Sequence, residues 1–157
     1  MHNLIENVSI VEAIAPAAGG SDLAGDYISL KHAEHVTVLV HITQGNAATV
    51  GLSLLQATAV AGTGEKPLAT PVPIWFTADC ATSDIPARQT DDVGFTTDAA
   101  VKHKIVAFEV PAEALDVAGG FDCLSVAAEH SNAANIIAAQ YIVSKRRYGG
   151  DTSFIVD

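Results

Sequence analysis

The chain has 157 residues, of which 49% are apolar and 17% charged, and 18 acidic against 8 basic residues give a formal net charge of −10. This length fits one ordinary domain with its own core. The charge excludes a protein built to neutralise phosphates, which needs clustered Lys and Arg, so no direct nucleic-acid partner and no anionic membrane partner are expected.

The charged fraction lies below the roughly 25% of an average soluble domain, and small apolar residues carry much of the rest. Part of the surface is therefore expected to be covered by neighbouring protein. The single basic cluster, Lys145-Arg146-Arg147, reads as a solvated strand end, with contact to an acidic partner as the alternative.

Residues 1–21 read as an N-terminal arm and linker, and residues 22–157 as a single β-sandwich domain. The first fourteen residues carry two glutamates and no basic start followed by an apolar run, so no targeting segment is expected. No stretch approaches the ~20 apolar residues of a membrane-spanning helix, so a soluble chain made in the cytoplasm is expected. Within the arm, Val8, Ile10, Glu12 and Ile14 alternate onto one side, and Ala15-Pro16-Ala17-Ala18-Gly19-Gly20-Ser21 then breaks regular structure. Such an arm can pair with its own sheet or with a neighbour's.

Tyr27 to Lys31 reads as a strand. Val36 to Ile42 is the clearest one, with Val36, Val38, Val40 and Ile42 on one face and Thr37, Leu39 and His41 on the other. Gln44-Gly45-Asn46 has turn chemistry, and alternation resumes from Val50 to Ala57, so these two strands are expected to pair antiparallel through a loop.

Gly62 to Pro67 is a turn, Ile74-Trp75-Phe76 a short apolar run, and Asp79 to Asp98 a long polar excursion that either carries contacts or orders on binding. Lys104 to Val110 alternates again, with Val106, Phe108 and Val110 sharing a face. Pro111 to Leu115 fits one helical turn, ended by Gly119-Gly120. Phe121 to Ala127 is a strand, and Ile136 to Val143 is taken as the last strand because it is short and β-branched. With no βαβ rhythm, the fold class is mainly β: an antiparallel β-sandwich or jelly roll with an extended N-terminal arm.

Chemistry-bearing patterns are thin. His32, His35 and His41 form the best constellation for a metal, but no His-x-His pair occurs. The only cysteines, Cys80 and Cys123, form no Cys-x-x-Cys and read as buried thiols acting as small apolar groups. Asp79, Asp84, Asp91, Asp92 and Asp98 read as a solvated acidic loop. Gly62-x-Gly64 lacks a third glycine, and Lys66 follows it in a turn rather than at a helix start. No catalytic residue, cofactor or metal ligand is assigned, and the chain is expected not to be an enzyme.

The stretches Gly25-Asp26-Tyr27-Ile28-Ser29-Leu30-Lys31, His35 to Ile42, Gly45-Asn46-Ala47-Ala48, Gln56 to Gly62, and Ala133 to Val143 with Arg147-Tyr148 resemble small structural proteins of tailed bacteriophages and prophages. The resemblance is one of general texture across about Asp22 to Tyr148. It implies a virion component of the head decoration or cement type, placed on the outer surface of the capsid. It further implies contact with the major capsid protein or other virion proteins, and a homo-oligomer, a trimer first.

Within the virion the alternative is a head–tail junction or tail component. From another class, a carbohydrate-binding β-sandwich module would use Trp75 and Phe76 as its stacking surface, although Trp75, between Ile74 and Phe76, reads first as a core residue.

Overall fold

Strands with one apolar face bury that face only against a second layer. The computed structural model shows this arrangement over the described residues, 4–146 and 153–156, with side chains at 145 and 146 outside the description. A short helix, α1 (Leu4–Asn7), precedes twelve strands: β1 (Ser9–Ala18), β2 (Leu23–Ala24), β3 (Ile28–Ser29), β4 (Ala33–Gln44), β5 (Gly51–Ala57), β6 (Lys66–Pro67), β7 (Ile74–Thr77), β8 (Ala87–Arg88), β9 (Gly94–Thr96), β10 (His103–Pro111), β11 (Cys123–Ala128) and β12 (Asn135–Arg146). Single turns of 3-10 helix at Ala112–Ala114 and Val117–Gly119 link β10 to β11.

Sheet I has the order β1-β12-β4-β10-β7-β8, and sheet II the order β2-β11-β5-β6, with β3 also on β11 and β9 also on β5. Every pairing is antiparallel. The expected mainly β sandwich is what forms, and Ile136 to Val143 is strand.

The core lies between the sheets. Val36, Val38, Val40 and Ile42 from β4, Val106, Phe108 and Val110 from β10, and Ile137, Tyr141 and Val143 from β12 face Leu54, Leu124 and Val126 of sheet II, all fully buried. Burying each such side chain is worth about 1.5–3 kcal/mol.

Three expectations need correction. β4 and β5 do not form a hairpin: β4 pairs with β10 and β12, and β5 with β11, β6 and β9. Their connection crosses between the layers because Asn135 holds it there, its Oδ1 accepting from Asn46 N at 2.8 Å and its Nδ2 donating to the Ala48 carbonyl at 2.9 Å.

In β1, Ile10 and Glu12 are exposed but Ile14 is buried. The register against β12 shifts between Glu12 and Ile14, and this bulge turns the next side chain inward. Of the two partners open to the arm, β1 takes β12 of its own sheet, while residues 1–3 lie outside the described residues. Finally, the expected strand at Tyr27 to Lys31 shortens to Ile28–Ser29, because the backbone of Gly25 and Asp26 bridges the two layers instead, with Gly25 N donating to the Val126 carbonyl and Asp26 N to the Ala13 carbonyl.

The polar excursion is folded onto the sandwich. β8 pairs with β7 at the edge of sheet I, Asp92 bridges Val72, and β9 pairs with β5 in sheet II. It thus closes one open side, with the Phe95 ring packed at a tilt against Phe76, 4.9 Å between ring centroids. Its far end is pinned by a buried ammonium. Lys104, fully buried, donates to the Asp98 carboxylate at 2.7 Å, the Asp98 carbonyl at 2.8 Å and Gln44 Oε1 at 2.9 Å. Thr97 Oγ1 also donates to Gln44 Oε1 and accepts from Val50 N, so all three Lys104 protons and the Gln44 carbonyl are matched.

Candidate functional site

Alternation along sheet I places a second set of side chains on its outer face, away from the core. Registers align them in rows: Ile10 with Ile142 and Thr37; Glu12 with Gln140, Leu39, Ala107, Trp75 and Arg88; then Ala138 with His41, Ile105 and Thr77; and Ile136 with Thr43 and His103. The β1–β12–β4 half carries half-exposed Ile10 at 47% and Ile136 at 39%. Between Ile136 and Ile142 on β12, the outward side chains are Ala138 and Gln140, with Glu12 the one carboxylate set beside them.

The other half holds a groove of about 440 Å³, floored by Leu39, Ile105, Ala107 and Trp75 and walled by Asp84 and Pro86 from the β7–β8 loop. Trp75 is 36% exposed, whereas its neighbours Ile74 and Phe76 are buried. The expectation of a core tryptophan is overturned by strand parity: Ala107, its cross-strand partner, points outward too. The Arg88 guanidinium stands 5.7 Å from the indole centroid and is itself held by Asp91.

No family model and no curated protein matches the chain. Among solved structures it is similar to the SPBc2 prophage-derived protein YomS, with a TM-score of 0.47 and 9% identity over 88% of this chain and 94% of that one. It is also similar to a chain from the structure of infectious bursal disease virus Gx strain, with a TM-score of 0.26 and 11% identity over 87% of this chain and 39% of that one. At these values neither transfers a residue role to this chain.

The residues singled out in the sequence fall mostly into structural work. His35 and His41 share the outer side of β4 six residues apart, roughly 20 Å at strand spacing, and so cannot share an ion. His32 lies in the preceding turn. Among the described residues no group of three His, Cys, Asp or Glu side chains converges as metal ligands would.

Cys123 is buried as expected but Cys80 is half-buried, and no disulfide joins the two. Burial pushes the Cys80 thiol up from its ordinary value, aided by the neighbouring Asp79 carboxylate. Lys66 pairs with Asp116 at 2.6 Å and lies 3.9 Å over the Phe121 ring, which commits it to the fold rather than to phosphate. Arg147 of the basic cluster lies outside the described residues.

Of the five aspartates in the excursion, four hold the loop. Asp79 pairs with Lys102 at 2.9 Å, Asp91 with Arg88 and Asp98 with Lys104, while Asp92 accepts from Val93 N. Lys102 holds the Asp79 carboxyl below its ordinary value, chiefly through that hydrogen bond. Asp84, exposed in the groove wall, has no hydrogen-bond or ion-pair partner among the described residues.

Sequence reading missed one cluster altogether. His35 Nε2 lies 3.1 Å from Glu109 Oε2, Thr37 Oγ1 donates to the same oxygen at 2.9 Å, and Ser144 Oγ lies 3.4 Å from His35 Nδ1. The four residues come from β4, β10 and β12 and are joined only by register. A parity count within each strand would have put them on one face, but not in one row.

Among the described residues no helix is long and apolar enough to cross a membrane.

Proposed function

We propose that this chain is a structural protein of a bacteriophage particle, a decoration or cement subunit that binds the outside of the head as a homotrimer. What carries this role is the β1–β12–β4 half of the outer face of sheet I, a strip of isoleucine, leucine, alanine, threonine and glutamine with Glu12 as its carboxylate and His35 and His41 on its β4 side. A strip of this kind gains by being covered, and specific association between proteins covers about 1,600 Å² in total. The acidic net charge suits the outside of a shell better than contact with packaged DNA. Repetition around a closed oligomer then adds avidity without stronger single contacts.

Purified particles from the source phage or prophage test this. Quantitative mass spectrometry should find the chain in hundreds of copies, whereas about a dozen would make it a head–tail junction component, since connectors follow ring symmetry. Absence from the particle removes the proposal.

A further inference from the structure

We propose that the Trp75 groove on the β7–β10 half of sheet I binds a neutral saccharide. This inference does not depend on the particle role, and the groove meets the β1–β12–β4 half of the same face at Leu39. The groove joins an exposed indole to a floor of Leu39, Ile105 and Ala107, with the unpartnered Asp84 carboxylate in its wall. Glu109 closes one end, where Thr37 and His35 engage its Oε2 while its Oε1 has no partner among the described residues.

The charges select the occupant. An anionic ligand would face Asp84 and Glu109 on a chain of net charge −10. A cationic ligand at the indole would meet the like charge of Arg88, whose guanidinium stands 5.7 Å from the ring centroid. A purely apolar ligand would strip water from a carboxylate and give it no donor. A neutral sugar ring meets all three conditions: its C–H face stacks on Trp75, and its hydroxyls donate to Asp84 and to Glu109 Oε1. The volume of about 440 Å³ suits one or two sugar units. The groove wall is pre-formed, because Asp79 accepts from Ala81 N and pairs with Lys102, fixing the loop that presents Asp84.

Trp75 is the chain's one tryptophan, so its emission reads the groove directly. The intact protein is titrated with neutral glucose, galactose, mannose and N-acetylglucosamine oligosaccharides up to about 10 mM, with sialylated and sulphated oligosaccharides and an oligolysine peptide as further arms. We expect saturable change in Trp75 emission with at least one neutral series. Calorimetry should then show binding weakened about tenfold or more by Trp75→Ala and by Asp84→Asn, and retained in part by Trp75→Phe, in variants whose circular dichroism is unchanged. Response to the charged arms only, no response to any neutral series, or calorimetric affinity unmoved by Trp75→Ala would each overturn the proposal.

Discussion

The hydroxyl of Tyr141 donates to the carbonyl oxygen of Asp26 at 2.8 Å, so a side chain rooted in sheet I grips the backbone segment that caps sheet II. The Tyr141 hydroxyl oxygen in turn accepts from Val126 N at 3.1 Å, in the strand opposite. Gly25 fits beside this contact because it lacks a side chain: a Cβ there would stand 2.5 Å from the Val126 carbonyl oxygen.

Tyr141→Phe strands the buried Val126 amide and takes the donor from the Asp26 carbonyl, and should cost about 1–3 kcal/mol in urea unfolding. Gly25→Ala should cost a similar amount, about 1–3 kcal/mol, by overpacking. Because the two touch, the double variant should lose measurably less or more than the sum. Additivity within error would mean that they act independently.

Burial pushes the Tyr141 phenol above its ordinary value. A folded-state value raised in this way gives stability that is complete below the unfolded tyrosine value of about 10 and is lost as pH rises beyond it. Alkaline unfolding, followed by circular dichroism, should therefore be less steep in Tyr141→Phe than in the natural chain. Equal slopes would place the alkaline sensitivity elsewhere, Tyr27 being the next group whose phenol burial raises.

The Lys104–Asp98 pair should respond asymmetrically. Lys104 is fully buried while the Asp98 side chain is 50% exposed. Removing the carboxylate leaves a buried cation short of its charge partner, whereas removing the cation leaves a carboxylate that water can reach. Asp98→Ala should thus cost more than Lys104→Met, the former about 3 kcal/mol or more.

The hydrogen bond from Lys104 holds the Asp98 carboxyl below its ordinary value. Its contribution is present above the unfolded value of about 4 and fades as pH falls through the lower folded value. The gap in urea midpoint between the natural chain and Asp98→Asn should narrow from pH 7 to pH 3. A gap that widens instead would refute this pairing.

β1 gives a test of the bulge. Ile14→Ala removes a core side chain and should cost about 2–4 kcal/mol, while Ile10→Ala, four residues earlier and exposed, should stay within about 0.5 kcal/mol. Comparable losses at both positions would place the strand in an unbroken register.

How far the sequence could be read follows from which interactions are local. Alternation in Val36 to Ile42 and Lys104 to Val110 identified both strands and their buried faces, because period two is a property of one segment. Which strands become neighbours is not local. β4 lies beside β10 and β12, and the β4–β5 loop is turned across the layers by Asn135, far away in the chain. The bulge after Glu12 was equally hidden, since nothing in Ala13-Ile14-Ala15 marks an extra residue.

In the candidate site, Trp75 was visible and its direction was not, because a three-residue apolar run has no alternation to set parity. Asp84 was one aspartate among five until pairing separated it from the others.

Electron microscopy of the phage particle containing this chain decides whether the outer face of sheet I seats on the head. Trimeric density should stand on the outside of the head, with Ile10, Ile136 and Ile142 against shell protein, and should be lost in an Ile142→Asp variant that still folds. Particles with no such density, or the chain present but with this strip facing solvent, would contradict that seating.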